Sequence, residues 1–145
     1  MKNSPLRLEK AFFTTVCVRA NSDGNPDARW TVEAIPQVVK QGEEKRKWAI
    51  SLKITLKPIG ESKPAYGAEI EVAGIFSVDE AWPEAKIEQL VHANGCAVLY
   101  SAAREMVCNV TSRGAWPMLL LPTVSFVDTA PKPKAASTPT ASAAP

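Results

Sequence analysis

The stretch Trp48 to Lys57, "WAISLKITLK", alternates strictly between two kinds of side chain. Trp48, Ile50, Leu52, Ile54 and Leu56 fall on one side of a period-two chain, and Ala49, Ser51, Lys53, Thr55 and Lys57 on the other. A helix, with its longer period, cannot gather either set onto one face. The segment is therefore a strand with one oily and one wet face, the habit of an antiparallel sheet. Another part of the chain must cover the oily face.

The neighbouring segments repeat the theme. "PIGESKP" is a turn, so Ala65 to Val78, where Ile70 and Val72 alternate with Glu69 and Glu71, closes a hairpin. Upstream, "KAFFTTVCVRA" (Lys10 to Ala20) is rich in β-branched and aromatic residues and makes a third strand. "WTVEAIPQVVK" (Trp30 to Lys40) makes a fourth. Its Pro36 cannot donate to a ladder, which places that strand at an edge or at a bulge. Turn formers fill Asn21 to Ala28, and the charged "KQGEEKRK" precedes the best strand.

After Val78 the period lengthens. Asp79 is a candidate cap for a short helix, with Pro83 in its first turn and Gly95 ending or bending it. The main helix is expected from about Ala97 to Arg113, with Leu99, Ala102, Ala103, Met106 and Val110 on one small-residue stripe and Gly114 as the stop. The fold class is α+β: a four-stranded antiparallel sheet, then a short helix and one long helix packed on one face. Residues 1–127 make one domain. Residues 128–145 are an Ala/Pro/Ser/Thr-rich tail expected to be disordered, because burial there cannot offset an ordering cost of about 1–2 kcal/mol per residue.

Catalytic chemistry has no constellation to stand on. The single histidine, His92, has no second imidazole with which to share a metal. Glycine-rich phosphate loops and nucleophile elbows are missing, and the acid pairs Glu43–Glu44 and Asp79–Glu80 sit in turns. The chain is read as a non-enzyme with no cofactor and no metal. Net charge is +2, and the basic run Lys45 to Lys47 leads into core-facing Trp48, so no nucleic-acid partner is expected. Cys17, Cys96 and Cys108 match no zinc or redox spacing and read as free thiols. No run reaches the ~20 apolar residues of a membrane span, so no membrane insertion is expected and the placement is cytoplasmic.

What the chain has in surplus is apolar surface: Trp30, Trp82, Trp116, Phe126 and "PMLLLP". One sheet and one helix bury only part of it. The remainder completes the core, forms an oligomer interface, or lines a groove for apolar segments of other chains.

"SRGAWPMLLLPTVSF" resembles a segment of the SecB family of bacterial export chaperones. That segment reads Ser-Arg-Gly-Thr-Phe-Pro, then an alternating Leu-x-Leu, then Pro-Val-x-Phe. Ser112, Arg113, Gly114, Pro117, Leu119, Leu121, Val124 and Phe126 match, and Trp116 stands for the phenylalanine. "AARE" (Ala102 to Glu105) resembles the family's Tyr-Ala-Arg-Glu, and "AGIFSV" its Gly-Gly-Ile-Phe. Trp30 sits where the family has an aromatic entering the second strand. The likeness spans about Leu8 to Phe126.

The resemblance implies a homotetramer, a dimer of dimers. First strands, here Phe12, Val16 and Val18, pair across subunits. Long helices, here Ala102, Ala103, Met106 and Val110, pack between the sheets. It also implies ATP-independent holding of unfolded or pre-export polypeptides in apolar grooves, with Trp30, Trp116, Leu119, Leu121 and Phe126 as the lining, and handover to the translocase motor SecA. Three departures bear on the partner. Pro122 lies one place early, no further helix follows Phe126, and the acidic surface of export-type members is missing. Since the last helix and the acid surface are what SecA recognises, weak or no SecA binding is expected. The alternatives are a SecB-like chaperone dedicated to one client, such as the antitoxin of a toxin–antitoxin system, and an α+β ligand-binding module outside the chaperones.

Overall fold

The computed structural model describes residues 1–132. Four strands form one antiparallel sheet: β1 (Leu6–Ala20), β2 (Trp30–Lys40), β3 (Lys47–Pro58) and β4 (Tyr66–Val78). Their spatial order is β1-β4-β3-β2, so β1 and β2 are the two edges. The β3–β4 hairpin lies at the centre, as its alternation requires. Trp48, Ile50, Leu52, Ile54 and Leu56 are all buried, and they share the inner face with Ile70, Val72 and Phe76 of β4. Gly60 turns the hairpin at φ +80°, a left-handed conformation that costs glycine nothing.

β1 begins at Leu6, before the expected Lys10, and it carries register shifts between Leu8 and Lys10 and between Phe13 and Thr15. Each inserts one residue and reverses the facing of everything beyond it. These bulges break the alternation by which the strand's start would have been read.

The β1–β2 crossover passes over the end of the central hairpin and is tied to it. Asn21 donates from its backbone to the Ala65 carbonyl at 2.8 Å and from its side chain to the Pro64 carbonyl at 2.8 Å. Asn25 donates to the Lys63 carbonyl at 2.8 Å.

Asp79 does not cap a helix. Its carboxylate accepts from the Ala81 N–H at 2.8 Å and closes a turn, and Arg46 straps that turn by donating to the Asp79 carbonyl at 2.6 Å and to the Trp82 carbonyl at 3.1 Å. Helical structure starts just after Pro83, as a 3-10 turn (Glu84–Lys86), and continues through α1 (Ile87–Leu90), a π turn (Val91–Gly95) and α2 (Cys96–Thr111). Gly95 does not end this run, since its backbone is helical; it is the last residue of the π turn. A methyl group there would strike Ile50 Cδ1, so the glycine permits close helix–sheet approach. Gly114 likewise has no left-handed φ, and a Cβ on it would strike the Tyr66 hydroxyl.

The buried face of α2 is Cys96, Leu99, Tyr100, Ala103, Val107 and Thr111. This is rotated from the expected stripe. Ala103 is wholly buried against the sheet, Ala102 and Met106 are half-buried on the flank, and Val110 is exposed. The rotation follows from two hydroxyls that hydropathy counts as polar. Tyr100 donates to the Pro122 carbonyl at 2.7 Å, and Thr111 donates to the Val107 carbonyl at 2.7 Å. With those partners, both residues can be buried at little cost.

Of the expected tail, residues 128–132 are described, with a turn at Val127–Ala130, and the remainder lies outside the described residues. No helix among the described residues is long and apolar enough to cross a membrane.

Candidate functional site

Helix α2 packs mainly on β3 and β4. The inner face of β2 is left part-covered. Trp30, Val32, Ala34 and Val38 pack against the core yet remain half-buried, and Pro36 between them is half-buried too. Five alternate side chains of one edge strand thus form an apolar row that is neither core nor free surface.

The segment after α2 walls this row at one end. After a bend at residues 114–117, residues 119–122 run back along the helix, held by its polar groups. The Leu119 N–H donates to Thr111 Oγ1 at 2.9 Å, Arg104 Nε donates to the Leu121 carbonyl at 2.9 Å, and Tyr100 donates to the Pro122 carbonyl. This is what the oily, proline-bounded stretch touches. Its backbone makes no strand pairing, so side chains of α2 satisfy it instead.

Between this segment and the start of β2 lies a cleft of about 100 Å³, lined by Ala28, Trp30, Leu56, Tyr66, Met118 and Leu119. Trp30 and Leu119, nominated from sequence, therefore line one cavity. Trp116 stands beside it, next to lining Pro117, with its indole N–H donating to the Asn21 carbonyl at 2.9 Å. Tyr66 locks the corner: its hydroxyl donates to the Trp116 carbonyl at 2.7 Å and accepts from the Trp116 N–H at 3.0 Å.

Leu121 and Phe126 are placed otherwise than expected. Leu121 is 1% exposed and Phe126 6%. Phe126 meets Tyr100 edge-on, with ring centroids 6.0 Å apart. Both are core side chains of the single chain, because their segment folds back onto α2. The residues that sequence reasoning missed are Val32, Ala34 and Val38. Their signal was the alternation that begins at Trp30.

At the other end of β2 a larger cleft, about 350 Å³, lies between Lys40, Lys45, Trp48, Glu84, Ile87 and Glu88. Its rim is charged and self-paired, with Lys45 Nζ 2.9 Å from Glu84 Oε1, which holds the Glu84 carboxyl below its ordinary pKa.

A family model described as preprotein translocase subunit SecB matches residues 14–130. The chain belongs to the SecB family. The protein-export protein SecB of Psychrobacter arcticus is 27% identical over 123 residues, which cover 83% of this chain and 82% of that protein. The protein-export protein SecB of Anaplasma phagocytophilum is 28% identical over 97 residues, 64% of this chain. This chain spans only 61% of the Anaplasma protein's length. Among solved structures, the SecB-like chaperone of Mycobacterium tuberculosis, in complex with a peptide from the HigA1 antitoxin, superposes with a TM-score of 0.65 at 17% identity, over 83% of this chain and 91% of that one. The fold is thus the SecB-like fold.

Within this SecB-family fold, the bulges in β1 separate residues that simple alternation would group. Phe12 lies opposite Ala73 on the outer face, while Val16 and Val18 lie opposite Ile70 and Ala68 on the helix side. Phe12 and Val16 are exposed and Val18 is half-buried. With Leu8, Val98 and Val110 also exposed, the free edge of β1 and the adjoining side of α2 carry unpartnered apolar surface. Ala103 is not part of it, since the chain's own sheet covers it. The outer sheet face is mixed in charge, with Lys53 3.3 Å from Glu69 and Lys57 3.9 Å from Glu33, exposed pairs each worth under about 1 kcal/mol. His92 has its Nδ1 enclosed without a hydrogen-bond partner among the described residues.

Proposed function

We propose that the protein is an ATP-independent holdase that keeps unfolded or pre-export polypeptides in the apolar row along β2 and so supports protein export from the cytoplasm. The observation that carries this is the half-covered run Trp30, Val32, Ala34 and Val38, leading into the cleft that Trp30 shares with Leu119. At about 25 cal/mol per Å² of apolar surface, a few such side chains suffice to hold an unfolded segment near micromolar affinity after ordering costs. Trp30, Trp116 and Leu119 are the groove residues of this reading.

The working unit is a homotetramer. Supporting this are the unpaired edge of β1, with Phe12, Val16 and Val18, and the flank of α2, with Ala102, Met106 and Val110. SecA binds weakly or not at all, because the outer face balances lysines against glutamates and offers no acid field to steer a basic partner. The relatives named above are protein-export proteins, which favours many clients. A peptide of one antitoxin lies on the mycobacterial chaperone, and a single-client role is the reading that a pull-down tests.

The experiment is suppression of aggregation of a chemically unfolded model protein by the full chain without nucleotide. Suppression that weakens in Trp30→Ala supports the reading. A folded protein with no effect on aggregation contradicts it, and points to a ligand-binding module, for which native mass would give a monomer.

A further inference from the structure

We propose that β2 offers its backbone as well as its side chains: a held polypeptide adds to the open edge as a fifth strand, and Pro36 interrupts that ladder and keeps holding reversible. This rests on the holdase reading of the same groove.

β2 pairs with β3 on one side only, and the sheet order ends there. The register runs unbroken from Trp30↔Pro58 to Lys40↔Trp48, passing through Pro36↔Leu52 without a shift. In an antiparallel pair, the backbone groups of successive residues point alternately towards and away from the partner. A proline nitrogen has no hydrogen and is tolerated where it faces away from the ladder. Residues with the parity of Pro36, namely Trp30, Val32, Ala34, Val38 and Lys40, therefore present their N–H and C=O groups to the open side. All of these but the exposed Lys40 are residues whose half-buried side chains make the apolar row. From Trp30 to Val38 the strand thus displays an apolar side chain at every second residue, with a free backbone N–H and C=O at each except Pro36, which offers only its C=O.

That combination selects its occupant. Apolar side chains alone attract any oily surface, whereas a free row of donors and acceptors is matched only by a backbone whose own groups are unpaired. The occupant is an extended, unfolded polypeptide of about ten residues, given a span of about 33 Å at 3.3 Å per residue. An unbroken edge would also template aggregation of the chains it holds. Pro36 removes the donor near the middle of the row, dividing it into two short halves.

The test uses the full chain and a fluorescent ten-residue peptide of alternating leucine and threonine. The peptide is made unmodified, N-methylated at its odd residues, and N-methylated at its even residues. Strand addition predicts that one methylated form loses roughly tenfold or more in affinity, while the other stays within about twofold. It also predicts that Pro36→Thr slows dissociation of the unmodified peptide roughly two- to tenfold, the effect of one added backbone hydrogen bond. Equal affinity of the two methylated forms, or no binding of any peptide by a chain that still prevents client aggregation, overturns strand addition alone. Failure to bind peptide and to protect a client overturns the holdase reading with it.

Discussion

The indole nitrogen of Trp116 donates to the backbone carbonyl of Asn21 at 2.9 Å, across 95 residues of sequence. This bond ties the turn after α2 to the crossover between the two edge strands. The Tyr66 hydroxyl sits at the same corner and serves both backbone groups of Trp116. The cleft at the head of β2 is thus held open by hydrogen bonds as well as by packing.

Tyr66→Phe leaves the Trp116 backbone without that partner. The expected loss is about 1–3 kcal/mol of stability, measured by urea unfolding. Gly114→Ala should destabilise as well, because its methyl group would collide with the Tyr66 hydroxyl. In the double variant with Tyr66→Phe the clash with the hydroxyl is removed and only the ring carbons, 3.0 Å from the added methyl, remain in the way, so the two losses should add to less than their sum. Full additivity would show that the two sites are independent.

Trp30→Ala and Leu121→Ala should behave oppositely. Leu121 is core, and its truncation should cost about 2–5 kcal/mol. Trp30 is half-buried at the groove, so its loss should weaken client holding while the protein stays folded. Circular dichroism melts beside aggregation assays separate the two. Unfolding by Trp30→Ala would make it a core residue.

Met106→Asp places a charge on the flank of α2. If that flank packs against another copy, the desolvated carboxylate costs several kcal/mol and the assembly falls apart. Light scattering should then report species smaller than the tetramer. An unchanged mass would remove this side of the helix from the interface.

Cys96 gives a pH signature. Its side chain is wholly buried, and burial raises the thiol from its ordinary 9.0 to about 11. The folded state therefore keeps its proton longer than the unfolded state does. The stability in question is complete below about pH 9 and is lost as pH climbs towards 11. Between about pH 8 and pH 10.5 the native chain should lose roughly 2 kcal/mol more than Cys96→Ala. The comparison with the variant removes the contribution of Tyr100, whose hydroxyl burial also raises. Identical slopes would mean that the thiol is hydrated.

The central hairpin was legible because every second residue of β3 and β4 is apolar, and Pro36 marked β2 as either an edge or a bulged strand, of which the structure shows the edge. The start of β1 was not, because its bulges break the alternation on which such readings depend. The expected stripe of α2 left out Tyr100 and Thr111, two polar-looking residues that become core once Pro122 and Val107 accept from them. Gly95 and Gly114 look like helix stops in one dimension. In three they are points of contact with Ile50 and Tyr66. Of the groove, Trp30 and Leu119 could be named from sequence. Leu121 and Phe126 could not be assigned, because only the return of their segment along α2 decides which way each side chain turns.

The account is tested most directly by hydrogen exchange on the full chain, with and without a permanently unfolded, carboxymethylated client and with no nucleotide present. Client-dependent protection is predicted along Trp30–Lys40 and residues 117–124, with the outer-face turns unchanged. Protection confined to the outer face, or none at saturating client, would contradict the claim that this strand and this segment form the holding site.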